Sequence, residues 1–307
     1  MSGKKIHIVF NPASAGGKTG RKREKILSEL KYHLGSAFSF SETTEPADAA
    51  IITRKVIKNG CDTVIAVGGD GTVNQVLNGF YNYGICINPD VKLGVISFGT
   101  GQGFAQSLGL PNDLSSQIKL IKDDRIKQVD IGKIIFENSY IPKYFLNEIQ
   151  FGIGGKLSKT ISPQTKRILG KFAFGFEAVK KLFNYQSNEL QMIINEKTIT
   201  EKIIGVVVAN GAYTGGGMRL TPNALLNDGL LDVLIIKDMS LKNRLVSFSK
   251  IYSARHLEQE AFQLIKSKKI EFIYTNGLAV ESDGEIIYDK CVCVEVLPSA
   301  LNVISYN

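Results

Sequence analysis

The sequence predicts an α/β half followed by a β-rich half. Three observations carry this reading. Up to about residue 98, short apolar runs alternate with segments of helical period, the pattern of a parallel sheet covered by helices. From near Val129 to the end, strand-like runs dominate. No apolar run approaches the roughly 18 residues that a membrane span needs. We therefore expect a parallel-sheet α/β domain over residues 1–128. A mainly antiparallel β-sandwich domain over 129–307 should follow, its last residues packing back on the first.

The elements follow in order. Ile6–Phe10 is an apolar run closed by Asn11-Pro12, a turn signal. Residues 21–34 carry Ile26, Leu27, Leu30 and Leu34 at helical spacing. Residues 38–43 read as a second strand and 47–59 as a helix. The β-branched run 63–67 is bounded by glycines. Val73, Val76, Leu77 and Phe80 then fall at i, i+3, i+4 and i+7, a helix with one buried face. Residues 91–98 form another buried strand. In the second half we expect strands at 144–149, 190–194, 202–209, 231–236, 269–274, 291–296 and 301–304. Helices at 165–183 and 241–252 interrupt them.

Composition narrows the class. The hydrophobic fraction of 44% and charged fraction of 21% exclude a disordered chain, a collagen and a coiled coil. No signal-peptide pattern is visible at the start. Cys291 and Cys293 are one residue apart, which is wrong for a Cys-x-x-Cys zinc or redox site. With histidine only at His7, His33 and His256, reduced, packed thiols are the expectation. Lys and Arg number 37 against 29 Asp and Glu, a net charge of +8. Basic proteins favour anionic surfaces and polyphosphates, but this charge is mostly spread out and discriminates nothing alone.

Gly68-Gly69-Asp70-Gly71-Thr72 lies between a buried strand and an amphipathic helix. Glycines there admit close backbone approach, and a helix N-terminus suits phosphate. Asp70 would repel a phosphate unless Mg²⁺ bridged the two, so a metal–nucleotide ligand is expected. A plain glycine-rich turn is equally compatible with these five residues. Two further loops share the position. Asn11-Pro12-Ala13-Ser14-Ala15-Gly16-Gly17-Lys18 follows the first strand, and Phe98-Gly99-Thr100-Gly101-Gln102-Gly103 follows the fourth. All three sit at carboxyl ends of parallel strands, where open α/β sheets bind ligands. Gly17-Lys18-Thr19 fails as a Walker motif, because Pro12 stands where the first glycine belongs. Phe104 likewise spoils a dinucleotide fingerprint.

Later come Asn210-Gly211-Ala212-Tyr213-Thr214-Gly215-Gly216-Gly217, then Pro222-Asn223-Ala224-Leu225-Leu226-Asn227-Asp228-Gly229-Leu230-Leu231-Asp232-Val233, then Glu281-Ser282-Asp283-Gly284-Glu285. Alone, Asp-Gly pairs are hairpin turns. Together with Gly-Gly-Asp-Gly-Thr, Asn74 and Asn78-Gly79, these segments resemble the diacylglycerol kinase catalytic-domain family, which includes bacterial lipid kinases and sphingosine and ceramide kinases. Order and spacing hold over essentially the whole chain.

The resemblance implies a first domain like those of NAD kinases and phosphofructokinases, and an ATP- and Mg²⁺-dependent lipid kinase. The acceptor is expected to be a hydroxyl of a diacylglycerol-like or sphingoid lipid. It implies an ATP site at Asn11, Pro12, Ala13, Ser14, Ala15, Thr44, Gly69, Asp70, Gly71, Thr72, Val73, Asn74, Gln75 and Thr100. It implies a structural Mg²⁺ on Asp228, with backbone carbonyls of Leu225 and Leu230. Glu285 would be the proton acceptor, with Asp283 beside it. Asp70 would act through Mg²⁺ on the phosphates. A cytoplasmic protein is expected, peripheral and transient at the inner membrane face, with a lipid partner and no nucleic acid. Relatives often have an acidic or histidine side chain at the position of Gln75, and Asn-Asp or Asn-Ala at Gln102-Gly103. These departures keep a second reading open, a catalytically weak or inactive nucleotide- or lipid-binding regulator. An NAD kinase is disfavoured, since no Asn-Asn-Glu segment follows the glycine motif.

Overall fold

Strands β1 (Ile6–Phe10), β2 (Phe38–Glu42), β3 (Thr63–Gly68) and β4 (Lys92–Ser97) pair in parallel, in the order β2-β1-β3-β4. The computed structural model describes residues 5–36, 38–98, 102–160, 184–274 and 277–306. Strands β1 and β3 are almost wholly buried, which explains their continuous apolar runs. Helices α1 (Arg23–Leu34), α2 (Asp48–Lys58) and α3 (Asp70–Gly79) cover the sheet. Helix α2 buries Ala49, Thr53 and Ile57, spaced one turn apart. It crosses α3 closely at Gly79, where a Cβ would stand 2.5 Å from that of Thr53. Two further helices, α4 (Gly103–Ser107) and α5 (Leu114–Asp123), complete this half.

The second half begins with the long strand β5 (Ile126–Phe136). The expected single strand at 144–149 is two, β6 (Lys143–Phe145) and β7 (Glu148–Gly152). The break has a physical cause: the backbone N–H groups of Leu146, Asn147 and Glu148 donate to the Asp283 carboxylate instead of a neighbouring strand. Helix α6 (Ile153–Thr160) follows, then β8 (Asn188–Ile194), β9 (Lys197–Ala209), β10 (Leu231–Lys237) and helix α7 (Leu241–Lys250). Strands β11 (Phe262–Ser267), β12 (Lys269–Tyr274), β13 (Val280–Ser282), β14 (Glu285–Ile287) and β15 (Cys291–Ile304) end the chain. The pairings among β7 to β14 are antiparallel, and their inward faces bury Phe151, Leu190, Val206, Val233 and Ile270, with Phe145 of β6, in a second core. Strands 291–296 and 301–304 are one element with an irregular register around Pro298. Its residues Asn302 and Val303 pair in parallel with Lys92 and Leu93, so the last strand joins the two halves in one sheet.

The helix expected at 165–183 lies outside the described residues. Within the described residues, no helix is long and apolar enough to cross a membrane. All four cysteines are free thiols. Burial pushes Cys291 up to about 12 and Cys293 up to about 11, which leaves them unreactive.

Candidate active site

The sheet order β2-β1-β3-β4 reverses direction between β1 and β3, the kind of switch point at which open α/β sheets bind ligands. The loops after these two strands are tied together there. Asn11 Nδ2 donates to Thr72 Oγ1 at 2.9 Å, and Asn11 Oδ1 accepts from the Ala13 N–H at 3.0 Å. Ser14 Oγ returns to the Asn11 carbonyl at 3.0 Å. Gly68 must be glycine, because a Cβ there would collide with Thr72. Residues Asn11 to Ala15 and Gly69 to Thr72 thus converge at the N-terminus of α3. Thr44 sits beside them at the end of β2, where its N–H and hydroxyl donate to Asp48 Oδ2 at the start of α2. Thr100 lies outside the described residues.

Three residues expected in the nucleotide site turn elsewhere. The side chain of Val73 belongs to the core. Asn74 Nδ2 donates to Asp283 Oδ2 and to the Tyr144 carbonyl, each at 2.9 Å. Gln75 Nε2 donates to Glu285 Oε1 at 2.7 Å. Asn74 and Gln75, together with Asn78 on the Tyr144 backbone, therefore hold the second half of the chain against the first.

The acidic residues occupy different settings. Asp70 accepts from the N–H groups of Gly103 at 3.1 Å and Phe104 at 3.3 Å, anchoring α4 beside the glycine loop. Burial pushes its carboxyl up, and those donors pull it back. Asp283, at φ +46°, heads the β13–β14 turn and points inward. Its two oxygens accept from Leu146 N at 2.7 Å, Asn147 N at 3.1 Å, Glu148 N at 2.9 Å and Asn74. Burial pushes this carboxyl up to about 6 against those donors. Glu285, two residues on, is half-buried and stands over the first turn of α3. A Cβ at Gly71 would be 3.8 Å from its Oε1.

A second carboxyl cluster lies behind the turn. Glu148 accepts from Gln150 Nε2 at 2.6 Å and meets the Thr214 hydroxyl. Burial, reinforced by Glu281, holds the Glu148 carboxyl well above its ordinary range. The sequence signal was a polar Asn147-Glu148 pair inside an apolar run. Gln150 borders a small apolar cavity between β7, β9 and helix α7, about 90 Å³ in volume. Ile153, Val207, Met218, Phe248 and Phe262 are among its walls.

Asp228 lies away from this cleft, at the start of β10. Lys266 Nζ stands 2.6 Å from Asp228 Oδ2 and 3.6 Å from Asp232 Oδ2, and Asp228 Oδ1 accepts from the Leu230 N–H. The turn is further pinned by buried Asp130, which accepts from Gly229 N at 2.7 Å and Ser299 N at 2.7 Å. Sequence reasoning missed Asp130 and Lys266. One observation leaves room for a cation: buried Asp232 Oδ1 has no hydrogen-bond partner. Leu225 and Leu230 flank the turn. No cluster of three or more His, Cys, Asp or Glu among the described residues could hold a metal by itself.

Known proteins repeat this two-part arrangement. Residues 5–134 match the diacylglycerol kinase catalytic domain, and residues 147–305 match the YegS C-terminal NAD kinase beta sandwich-like domain. A diacylglycerol kinase of Bacillus subtilis is 25% identical over 92% of this chain and 90% of its own. One from Staphylococcus haemolyticus is 27% identical over 91% and 81%. A YegS-like probable lipid kinase of Chromohalobacter salexigens is 25% identical over 96% and 91%. The crystal structure of a diacylglycerol kinase from Bacillus anthracis superposes with a TM-score of 0.74 at 24% identity, covering 99% of this chain and 97% of that one. With its glycine-loop half and its β-sandwich half each matched in sequence, and the joined fold matched in space, the chain belongs to the diacylglycerol kinase family that carries the YegS-type C-terminal domain.

Proposed function

We propose that the protein is an ATP- and Mg²⁺-dependent lipid kinase that phosphorylates a hydroxyl of a diacylglycerol-like or sphingoid lipid. One observation carries the reading. The half-buried Glu285 carboxylate is held by Gln75 over the first turn of the glycine-loop helix, beside Gly71. Phosphoryl transfer needs positioning and charge stabilisation more than covalent chemistry. The converging loops at Asn11–Ala15 and Gly69–Thr72 supply backbone N–H groups and a helix N-terminus for the phosphates. Glu285 takes the proton of the attacking hydroxyl. Asp283 cannot share that role, because four N–H donors occupy its oxygens.

Magnesium typically binds through one or two carboxylates with substrate phosphates and water. Asp70 at the mouth of the glycine loop fits that pattern, and Mg²⁺ there would neutralise phosphate charge. Asp228 fits an ion less simply, since Lys266 already lies against it.

Phosphate transfer from labelled ATP to a lipid panel in mixed micelles tests the reading. Incorporation into lipids that carry a free hydroxyl is expected. Activity confined to water-soluble alcohols, or none on any acceptor, overturns it. The lipid is met at a membrane surface by peripheral docking, a reading that the net charge of +8 supports. Each Lys or Arg near an anionic leaflet contributes about 1 kcal/mol, screened by salt. Sedimentation with phosphatidylglycerol vesicles should be lost at high salt; salt-insensitive binding would count against electrostatic docking.

A further inference from the structure

Among the described residues, Arg23, Arg54, Arg219 and Arg244 are the half-buried arginines. Three of them are bonded within the protein. Arg23 donates to Glu42 and Glu24, and Arg54 to the backbone carbonyls of Tyr81 and Asn78. Arg244 donates to Asp238 and to the carbonyls of Met239 and Tyr185. Arg219 differs. Its Nε is buried without a hydrogen-bond partner, and no acidic side chain among the described residues pairs with its guanidinium. Its two terminal nitrogens are not sealed in, so the charge opens outward. A charge that is partly desolvated and unpaired is costly to the fold. It is also ready for an anion, whose two oxygens match the guanidinium fork.

The local chain holds this charge in place. Thr214 and Met218 form an antiparallel bridge, which sets Tyr213 opposite Arg219. The guanidinium carbon stands 5.8 Å from the centre of the Tyr213 ring, a cation–π contact. Met218 and Leu220 line the apolar cavity, so Arg219 between them faces the other way. On that side Tyr213 packs against helix α4 of the first half. Its N–H donates to Ser107 Oγ at 3.3 Å, and a Cβ at Gly103 would stand 2.6 Å from its carbonyl oxygen. Gly103 is the residue whose N–H rests on Asp70. Arg219 is thus carried by the loop of the second half that meets the helix anchored by Asp70. In the proposed reaction one phosphate is terminal both before and after transfer, first on ATP and then on the lipid. Resting on the kinase reading above, we propose that Arg219 binds that terminal phosphate, with its fork on two of the phosphate oxygens and its face on Tyr213.

The test compares ligands that differ by that one group. ATP is set against ADP, both with Mg²⁺, and dihexanoyl phosphatidate against dihexanoylglycerol, with binding read by calorimetry. Arg219→Met keeps most of the stem and removes the charge. It should weaken ATP, phosphatidate or both by at least about tenfold, the size of one hydrogen bond to a charged group. ADP and dihexanoylglycerol should bind it as they bind the wild type. Loss with ATP alone places the phosphate before transfer, loss with phosphatidate alone places it after, and loss with both places it in a site used throughout. Should the methionine variant fold poorly, phenylglyoxal labelling of the wild type decides: ATP or phosphatidate should shield Arg219, and ADP and dihexanoylglycerol should not. Unchanged affinities in the folded variant, equal losses with all four ligands, or labelling that no ligand alters overturns the proposal. Any of these in an enzyme that still phosphorylates lipids leaves the kinase reading standing. Binding that depends on Arg219 without transfer to any lipid would sink the kinase reading and keep the phosphate site.

Discussion

Gln75 Nε2 donates to Glu285 Oε1 at 2.7 Å, joining residues 210 apart in sequence. The bond fixes one carboxylate oxygen and leaves the other for the acceptor hydroxyl. Gln75 is thus a positioning residue for the proposed base. Gln75→Leu should lower kcat by about tenfold, within the range a general base contributes. The KM for ATP should stay within about twofold. Gln75→Glu, isosteric but without the amide donor, should repeat the loss at alkaline pH, where two facing carboxylates repel. A raised KM for ATP with unchanged kcat would return Gln75 to the nucleotide site.

Asp283 and Glu285 should separate cleanly. In Asp283→Asn an NH₂ group faces backbone donors that the carboxylate now satisfies. Stability should fall by ~2–3 kcal/mol, the cost of leaving buried donors unpaired. Glu285→Gln should leave the unfolding midpoint close to wild type and cut kcat by about 10²–10⁴. Denaturant titrations beside rate measurements decide it. A stable but inactive Asp283→Asn with an active Glu285→Gln would exchange their roles.

How far the sequence foretold this can be read from those residues. The β1 to β4 strands and helices α1 to α3 were legible because each buries one face or both, and burial writes itself as period. The converging loops were legible because glycine has few other reasons to recur at strand ends. The orientation of Asp283 was not. Its neighbours Leu146 to Glu148 lie more than 130 residues away, and nothing local marks a carboxylate as the acceptor for a distant strand break. Helix α5 carried a readable signal that the apolar pattern overlooked: Asp113 caps it by accepting from Ser116 N at 2.8 Å. The resemblance implies a place for Gln75 in the nucleotide site. Only the fold shows that its side chain crosses to the second half.

Lys266 and a magnesium ion would compete for Asp228. The ammonium lies 2.6 Å from its Oδ2, so an ion must displace or adjoin a positive charge. Without nucleotide, Mg²⁺ should raise the melting temperature of Lys266→Met more than that of the wild type. Asp228→Ala should show no rise on either background, since an ion stabilises in proportion to its occupancy of the native state. An equal rise in all the variants would place the ion elsewhere.

Glu148 offers a test by pH. It is buried against Glu281, with Asp283 close by, and its carboxyl is held well above the ordinary value of 4.5. In the unfolded chain the proton leaves near that ordinary value, whereas the folded protein keeps it to higher pH. The wild type therefore pays nothing below about pH 4.5. Above it, each unit costs up to about 1.4 kcal/mol until the folded carboxyl also ionises. Glu148→Gln does not titrate. Its amide oxygen can still accept from Gln150, and its NH₂ can donate to the Thr214 hydroxyl. The variant should match or fall below wild-type stability at pH 4, then overtake it as pH rises to 8. Denaturant midpoints measured across that interval give the comparison. If the wild type instead gains on the variant with rising pH, Glu148 is ionised in the fold, and the buried neutral carboxyl behind the Asp283–Glu285 turn is the wrong description.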